Sequence, residues 1–357
     1  MVQRFGPGLH RFWAGSWHDC RLEDVTLLRF ARGLIFALLI AALLPLGTYV
    51  ATAHDGPHDA TPVPATPTLP ATVTDANGQQ VTVTDVSRII ALNGATAEII
   101  WDLGLGQNLA GVDVTATYPP EIADVPKIGF GRQLSAEGII SLDPTVVIGD
   151  TTAGPPEVLD QIRQAGIPVV LYDQFTDLNA PYEKIDAIAA ALGVTEAGDA
   201  LNAKVKSEYD SAIALAKTAT SHPRVLFLYI RGTSTLLIGG EGSGADTIID
   251  AAGGIDAGTE AGVKGFAPIT AEALVTAAPD VILVMTGGLQ SIGGIDGLMQ
   301  IPGVAETPAG QNGAILEYED QYLLGLGPRL GQMLTELTYD LHPELERPAT
   351  PEATPGA

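Results

Sequence analysis

The sequence predicts an α/β protein made of two similar lobes joined by a single long helix, with a ligand cleft between the lobes. Three observations carry this expectation: a stretch that the chain repeats, short apolar runs alternating with helical patterns around each copy, and an extended helical period between the copies. The first copy runs Ser135 to Gly149, and the second starts 135 positions later at Thr270 and reaches Val284 in register. Each opens on a hydroxyl suited to cap a helix, Ser135 or Thr270, followed by a glutamate in the first turn, two turns of helix and a proline stop. The apolar runs that close them, Val146-Val147-Ile148 and Val281-Ile282-Leu283-Val284, are too short for helices and too apolar for edge strands. They read as strands buried on both faces, as in a parallel sheet. One αβ unit used twice makes the cleft between its two settings the place to look for function.

The totals agree with two domains of ordinary size. The chain has 357 residues, 46% of them hydrophobic, and a mean hydropathy of +0.23, enough for a sizeable core. Its formal charge is −24. Nucleic acid is excluded as a partner, because binding it needs a basic footprint. Solubility is one use of the charge, and docking onto a basic protein surface is another. The only cysteine, Cys20, lies ahead of the apolar segment, so the exported part has no disulfide framework and no thiolate metal site. For the same reason Cys20 is not a lipoprotein cysteine, which comes after such a segment.

Taken in order, residues 1–53 read as a signal peptide or membrane anchor. Gly33 to Ala53 is uncharged and mostly apolar, Arg29 and Arg32 precede it, and Ala51-Thr52-Ala53 offers small residues for cleavage. Cleavage and an uncleaved anchor both remain open, and either one exports the chain beyond Ala53. The long stretch before the segment fits initiation nearer Val25. Residues 54–85 are a Pro/Thr-rich tether and a hairpin turning at Asn77-Gly78. The N-terminal lobe, 86–180, holds strands at Ile89–Leu92, Leu109–Val112 and Val169–Leu171, with helices at Ala95–Leu103 and Val158–Ala165. Within 181–221 no strand signal occurs. Glu196 to Ala219 instead places Leu201, Val205, Tyr209, Ile213 and Ala216 at helical spacing, and about 36 Å of helix would cross from lobe to lobe. The C-terminal lobe, 222–343, starts with the apolar run Val225–Ile230 and ends with a helix from about Arg329 to Leu341. Residues 344–357 read as a disordered tail.

Enzyme signatures are poorly supplied. Gly104-Leu105-Gly106 and Gly239 to Gly244 lack the full dinucleotide fingerprint and read as turns, and no phosphate loop occurs. After residue 53 the only histidines are His54, His58, His222 and His342. A Ser-His-Asp triad or a histidine metal site is therefore hard to build. Two lobes, a cleft and no catalytic set suggest a binder.

Phe130-Gly-Arg-Gln-Leu-Ser-Ala-Glu-Gly-Ile, Tyr229-Ile-Arg-Gly-Thr-Ser and Val284-Met-Thr-Gly-Gly-Leu now give a resemblance. From Arg88 to Leu341 the chain resembles the substrate-binding proteins of ABC importers for haem, siderophores and cobalamin, and most closely their haemin-binding branch. The resemblance implies the class III periplasmic binding protein architecture and haem as a transported ligand rather than a catalytic cofactor. It implies an ABC permease dimer with its ATPase as partner, no enzymatic reaction, and contact with the membrane only through the N-terminal segment. In this family a glutamate on each lobe docks to permease arginines, and Glu137 and Glu272 match. On the residues alone, a carboxylate in a first helical turn is equally explained by the helix dipole.

For the ligand, the resemblance points to Tyr229 as the axial donor to haem iron, since a phenolate suits ferric haem. Arg231, two residues along the same strand, leaves the same face and would donate to that oxygen. Without the resemblance, a strand-end tyrosine with a satisfied hydroxyl and a surface arginine is the stronger reading. The chain departs from the branch at Phe130, where a tyrosine or histidine is usual, so Phe130 would serve as an apolar wall. Arg132 either holds a propionate or simply solvates its loop, the haem is bound from the second lobe alone or Tyr118 substitutes as ligand, and Met285 is a weak second contact or simply core. The departure keeps a ferric siderophore or cobalamin open as the ligand. A two-lobed enzyme acting on a small metabolite is the alternative from another class.

Overall fold

The computed structural model describes residues 65–348. The apolar segment 33–53 and the stretch beyond 348 lie outside the described residues. Among the described residues no helix is long and apolar enough to cross a membrane.

The described chain opens with strands β1 (Ala71–Thr74) and β2 (Gln80–Val83), an antiparallel hairpin pairing Ala71 with Val83. Its turn is held by Asp75, whose carboxylate accepts from the backbone N–H of Asn77 at 3.0 Å and of Gln79 at 2.9 Å. Gly78 takes φ 75°, a left-handed value that suits glycine there.

A four-stranded sheet comes next, built from β3 (Ile89–Ala91), β4 (Leu109–Val112), β5 (Val146–Asp150) and β6 (Val169–Tyr172). Its order is β4-β3-β5-β6 and every pairing is parallel. Every residue of β3 and β6 is buried, which is why these runs are apolar without alternation. Helices Gly94–Ile100 and Ala180–Leu192 cover one face and Ala136–Ile140 and Pro156–Gln164 the other, giving two apolar layers. The expected helix Ala95–Leu103 is α-helical only to Ile100. It then widens through Trp101–Leu105, where Gly104 takes φ 80°.

The second sheet contains β7 (Arg224–Arg231), β8 (Thr235–Gly239), β9 (Ile255–Asp256), β10 (Phe266–Pro268), β11 (Val281–Met285) and β12 (Ile315–Tyr318). The order is β10-β8-β7-β11-β12, with β9 beside β7. The strands β7, β11 and β12 run parallel, while β8 pairs antiparallel with both β7 and β10.

The connecting stretch 181–221, with its helix expected at Glu196–Ala219, contains most of one helix and all of another. Ala180–Leu192 packs within the first sheet's layer and stops at Gly193, whose φ is 69° and whose carbonyl accepts from Thr68 N–H at 2.8 Å. Any side chain at Gly193 would run into the Thr68 carbonyl, so glycine ends the helix and lets the segment before β1 dock. Helix Thr195–Ala216 then makes the crossing, about 33 Å of it at 1.5 Å per residue. Its Leu201 and Val205 lie in the core of the first sheet, and its Ala212 in the core of the second. The final helix, Leu330–Leu341, lies along it, and Gly331 admits the backbone of Glu208 and Tyr209 at the closest approach. Beyond that helix Glu344, expected to begin a loose tail, is tied down. It accepts from Thr220 N–H at 3.1 Å and from the Ser221 hydroxyl at 2.7 Å.

In the repeated unit the hydroxyls of Ser135 and Thr270 accept from Gly138 and Ala273 N–H, as N-caps do. The helices differ in length: Ala136–Ile140 is shorter than two turns, while Ala271–Ala277 completes them. Left-handed residues, Asp143 at φ 48° and Ala278 at φ 40°, precede the two prolines and redirect the chain into β5 and β11.

Candidate ligand cleft between the two sheets

Parallel strands deliver their loops at their carboxyl ends, and ligands of open α/β sheets gather there. The carboxyl ends of β5, β7 and β11 open onto a cleft of ≈ 430 Å³ lined from both sides. That lies within the range of small-molecule sites.

On the second-lobe side, Tyr229 and Arg231 stand two apart at the end of β7 and both line the cleft. The Arg231 guanidinium carbon lies 4.8 Å above the centre of the Tyr229 ring, a cation–π arrangement. Phe266 from β10 meets the same ring edge-on, 5.5 Å between centres. Arg231 donates to Asp320 at 2.7 Å and to the Ile230 carbonyl at 2.9 Å, and its Nη2 lies 3.8 Å from Met285 Sδ. Arg231 thus meets Tyr229 over the face of its ring, while its Nη2 donates to Asp320. Asp320 holds the guanidinium in that place through this ion pair. Its other oxygen accepts from Gly287 N–H at 2.9 Å, which fixes the carboxylate between β11 and β12. Met285 lines the cleft but is 2% exposed and packs with the core.

From the first lobe, Arg132 lines the cleft and is exposed to solvent. Phe130, on the same loop, is 58% exposed and is not among the lining residues. Asn93 caps helix Gly94–Ile100 through Thr96 N–H at 2.8 Å and donates to Asp150 at 3.0 Å and Tyr172 at 3.1 Å. Burial pushes the Tyr172 phenol well above its ordinary range, so it stays neutral. Tyr118 does not join the lining. It sits at the seam between the lobes, where the Arg329 guanidinium lies 3.5 Å above its ring centre.

That seam is a buried polar network. Glu98, 1% exposed, accepts from Arg329 Nε at 2.8 Å and Nη2 at 3.2 Å, and from Gln321 at 2.5 Å. Gln321 also donates to the Gly94 carbonyl and accepts from Thr117 N–H, while Glu319 accepts from the Thr117 hydroxyl. Lys184 donates to the carbonyls of Gly325 at 2.9 Å and Leu326 at 3.2 Å, and its burial lowers the ammonium to about 8. Residues 319–321 therefore grip the first lobe with their outer members and Arg231 with the middle one.

The repeat glutamates, Glu137 and Glu272, are far simpler. Both are exposed in the first turn of their helices. Among the described residues no group of three or more His, Cys, Asp or Glu side chains is placed to hold a metal ion.

Sequence reasoning missed Asp320, Phe266, Lys184 and the Glu98–Arg329 pair. For Asp320 a signal existed, since it lies just past a buried parallel strand. Phe266 lies in a short stretch with no strand pattern and gave none.

The family model for periplasmic binding proteins matches residues 89–322. Among solved structures, the periplasmic heme-binding protein RhuT from Roseiflexus sp. RS-1 is 50% identical with a TM-score of 0.70, covering 72% of this chain and 98% of that one. The heme-binding protein HmuT is 38% identical with a TM-score of 0.74, covering 82% and 98%. Alanine variants of HmuT replace a histidine, a tyrosine and an arginine, whose intervals equal those separating Phe130, Tyr229 and Arg231 here. By sequence, the ABC transporter substrate-binding lipoprotein YvrC of Bacillus subtilis is 26% identical over 319 residues, 87% of this chain and 97% of that protein. A cobalamin-binding protein of Halobacterium salinarum is 26% identical over 264 residues, covering 71% and 68%.

Proposed function

Since the chain belongs to the periplasmic binding protein family, we propose that it is the extracytoplasmic substrate-binding component of an ABC importer, with haem as its transported ligand. One observation carries the choice of haem: a tyrosine and an arginine two residues apart at the carboxyl end of β7, facing the cleft with the spacing found in HmuT.

Tyr229 supplies the anionic oxygen that ferric iron prefers. Its phenol loses its proton on coordination, and the guanidinium stacked on the ring offsets the negative charge left behind. To donate to that oxygen directly, Arg231 must share itself between the phenolate and Asp320. Arg132, exposed on the opposite wall, is a natural partner for a propionate. Phe130 lies outside the cleft lining and offers no ligand atom, so coordination comes from the second lobe. Met285 completes the wall from the core. The buried seam of Glu98, Arg329, Gln321 and Lys184 resists wide opening of the lobes, so haem enters by a small rocking motion. Glu137 and Glu272 dock to basic residues of the two permease halves, and the partner ATPase supplies the energy. The chain itself catalyses no reaction.

Cobalamin is the second reading, favoured by the halobacterial relative. Parallel titrations with haemin and cyanocobalamin separate the two. Haem binding gives a sharpened, shifted Soret band that saturates. A haemin spectrum identical to that of the free compound, alongside retention of cobalamin, contradicts the proposal.

A further inference from the structure

Docking through Glu137 and Glu272 leaves one feature of the same surface unexplained. Six large apolar side chains are exposed among the described residues, and two of them occupy the same place in the two repeats. Ile140 is 37% exposed and Val275, the most exposed of the six, is 63%. Each stands three residues after its glutamate, and residues three apart share a helix face. The preceding position points the other way in both copies: Ile139 and Leu274 are 0% exposed and fill the cores of their respective sheets. The fold therefore needs an apolar residue at 139 and 274, but it asks for none at 140 and 275. A polar residue there would leave the core untouched.

We infer that Ile140 and Val275 are apolar contacts of the docking face, each inserting beside the carboxylate of its own lobe into one half of a two-fold membrane permease. This rests on the docking role proposed for the glutamates. The occupant is set by charge and symmetry. A second copy of the chain is opposed by the formal charge of −24, and an anionic lipid surface is opposed by the same charge. A partner must offer a cation next to an apolar hollow, and must offer that pair twice, in related settings. A dimeric permease presents two related settings by its symmetry, and a cation beside an apolar hollow in each is what this docking face requires of it. The carboxylates guide the encounter, and the apolar pair adds contact that salt does not screen.

The test uses haemin-loaded protein and the permease–ATPase complex held in nanodiscs, with affinity read across a salt series. Ile140→Ser with Val275→Ser should weaken the complex about tenfold while keeping the wild-type salt slope and haemin affinity. Glu137→Ala with Glu272→Ala should flatten the salt slope instead. Wild-type affinity in the serine pair overturns the inference, as does any loss of haemin affinity in that pair. If the serine pair is weakened but the alanine pair behaves as wild type, the carboxylate docking fails while the apolar face stands.

Discussion

Replacing Arg329 by methionine tests the seam that holds the two sheets together. Arg329 is 6% exposed and its partner Glu98 1% exposed. Arg329 gives Glu98 two charge-assisted bonds, at 2.8 and 3.2 Å, and lies over the rings of Tyr118 and Tyr322 at 3.5 and 4.7 Å. Methionine restores part of the apolar volume and none of the charge. Glu98 keeps the neutral amide of Gln321 but loses its cation, so a buried charge is left uncompensated. Breaking one side of a buried pair costs about 3–5 kcal/mol. Removing both sides, with Glu98→Gln added, should recover about 2 kcal/mol or more, because the stranded charge is gone. Urea unfolding at neutral pH reads both numbers from the midpoint, with an unchanged m-value showing that the unfolded state is not the cause. A loss below about 0.5 kcal/mol for Arg329→Met, or a double variant no better than the sum of the singles, would refute the claim that this pair locks the lobes.

The same geometry sets three further outcomes. Burial, reinforced by the neighbouring Glu98 charge, raises the Asp102 carboxyl to about 7. The folded state then binds a proton more tightly than the unfolded one, so stability should fall as pH rises from about 4 to about 7. Asp102→Asn should flatten that slope in thermal melts, and a slope equal to wild type would count against the raised carboxyl of this half-buried residue. Asp320→Asn keeps an acceptor for Gly287 but releases the full charge on Arg231, so haemin affinity should rise about threefold to tenfold. A fall would mean that Asp320 aims Arg231 rather than competing for it. Lys184→Met removes the donor to Gly325 and Leu326 and should lower the urea midpoint, a loss of about 1–3 kcal/mol; an unchanged midpoint would deny that segment its anchor.

Much of the fold was legible because it is written locally. The repeated cap, proline stop and apolar run place β5 and β11, and Asn77-Gly78 places the hairpin. The alternation of strands and helices gave the sheets. The parts that stayed hidden depend on partners far away in the chain. Gly193 breaks the connecting segment because Thr68 packs onto it, 125 positions earlier. Gln321 meets Gly94 across 227 positions, and Arg329 meets Glu98 across 231. No local pattern records such contacts. The site divides the same way. Tyr229 and Arg231 share a strand, so their common face could be read from spacing. The orientation of Arg231 could not, because Asp320, 89 positions on, decides it. Tyr118 failed as a cleft residue for a similar reason, since Arg329 from the far end of the chain claims its ring.

The claim at the centre is that the Tyr229 oxygen takes the iron. Haemin titrated into the wild-type protein and into Tyr229→Phe, monitored in the visible region, tests it most directly. The wild type should develop the phenolate-to-iron charge-transfer band, and the variant should lack it while retaining its fold. A charge-transfer band that persists in Tyr229→Phe would contradict the account and move the ligand to another residue.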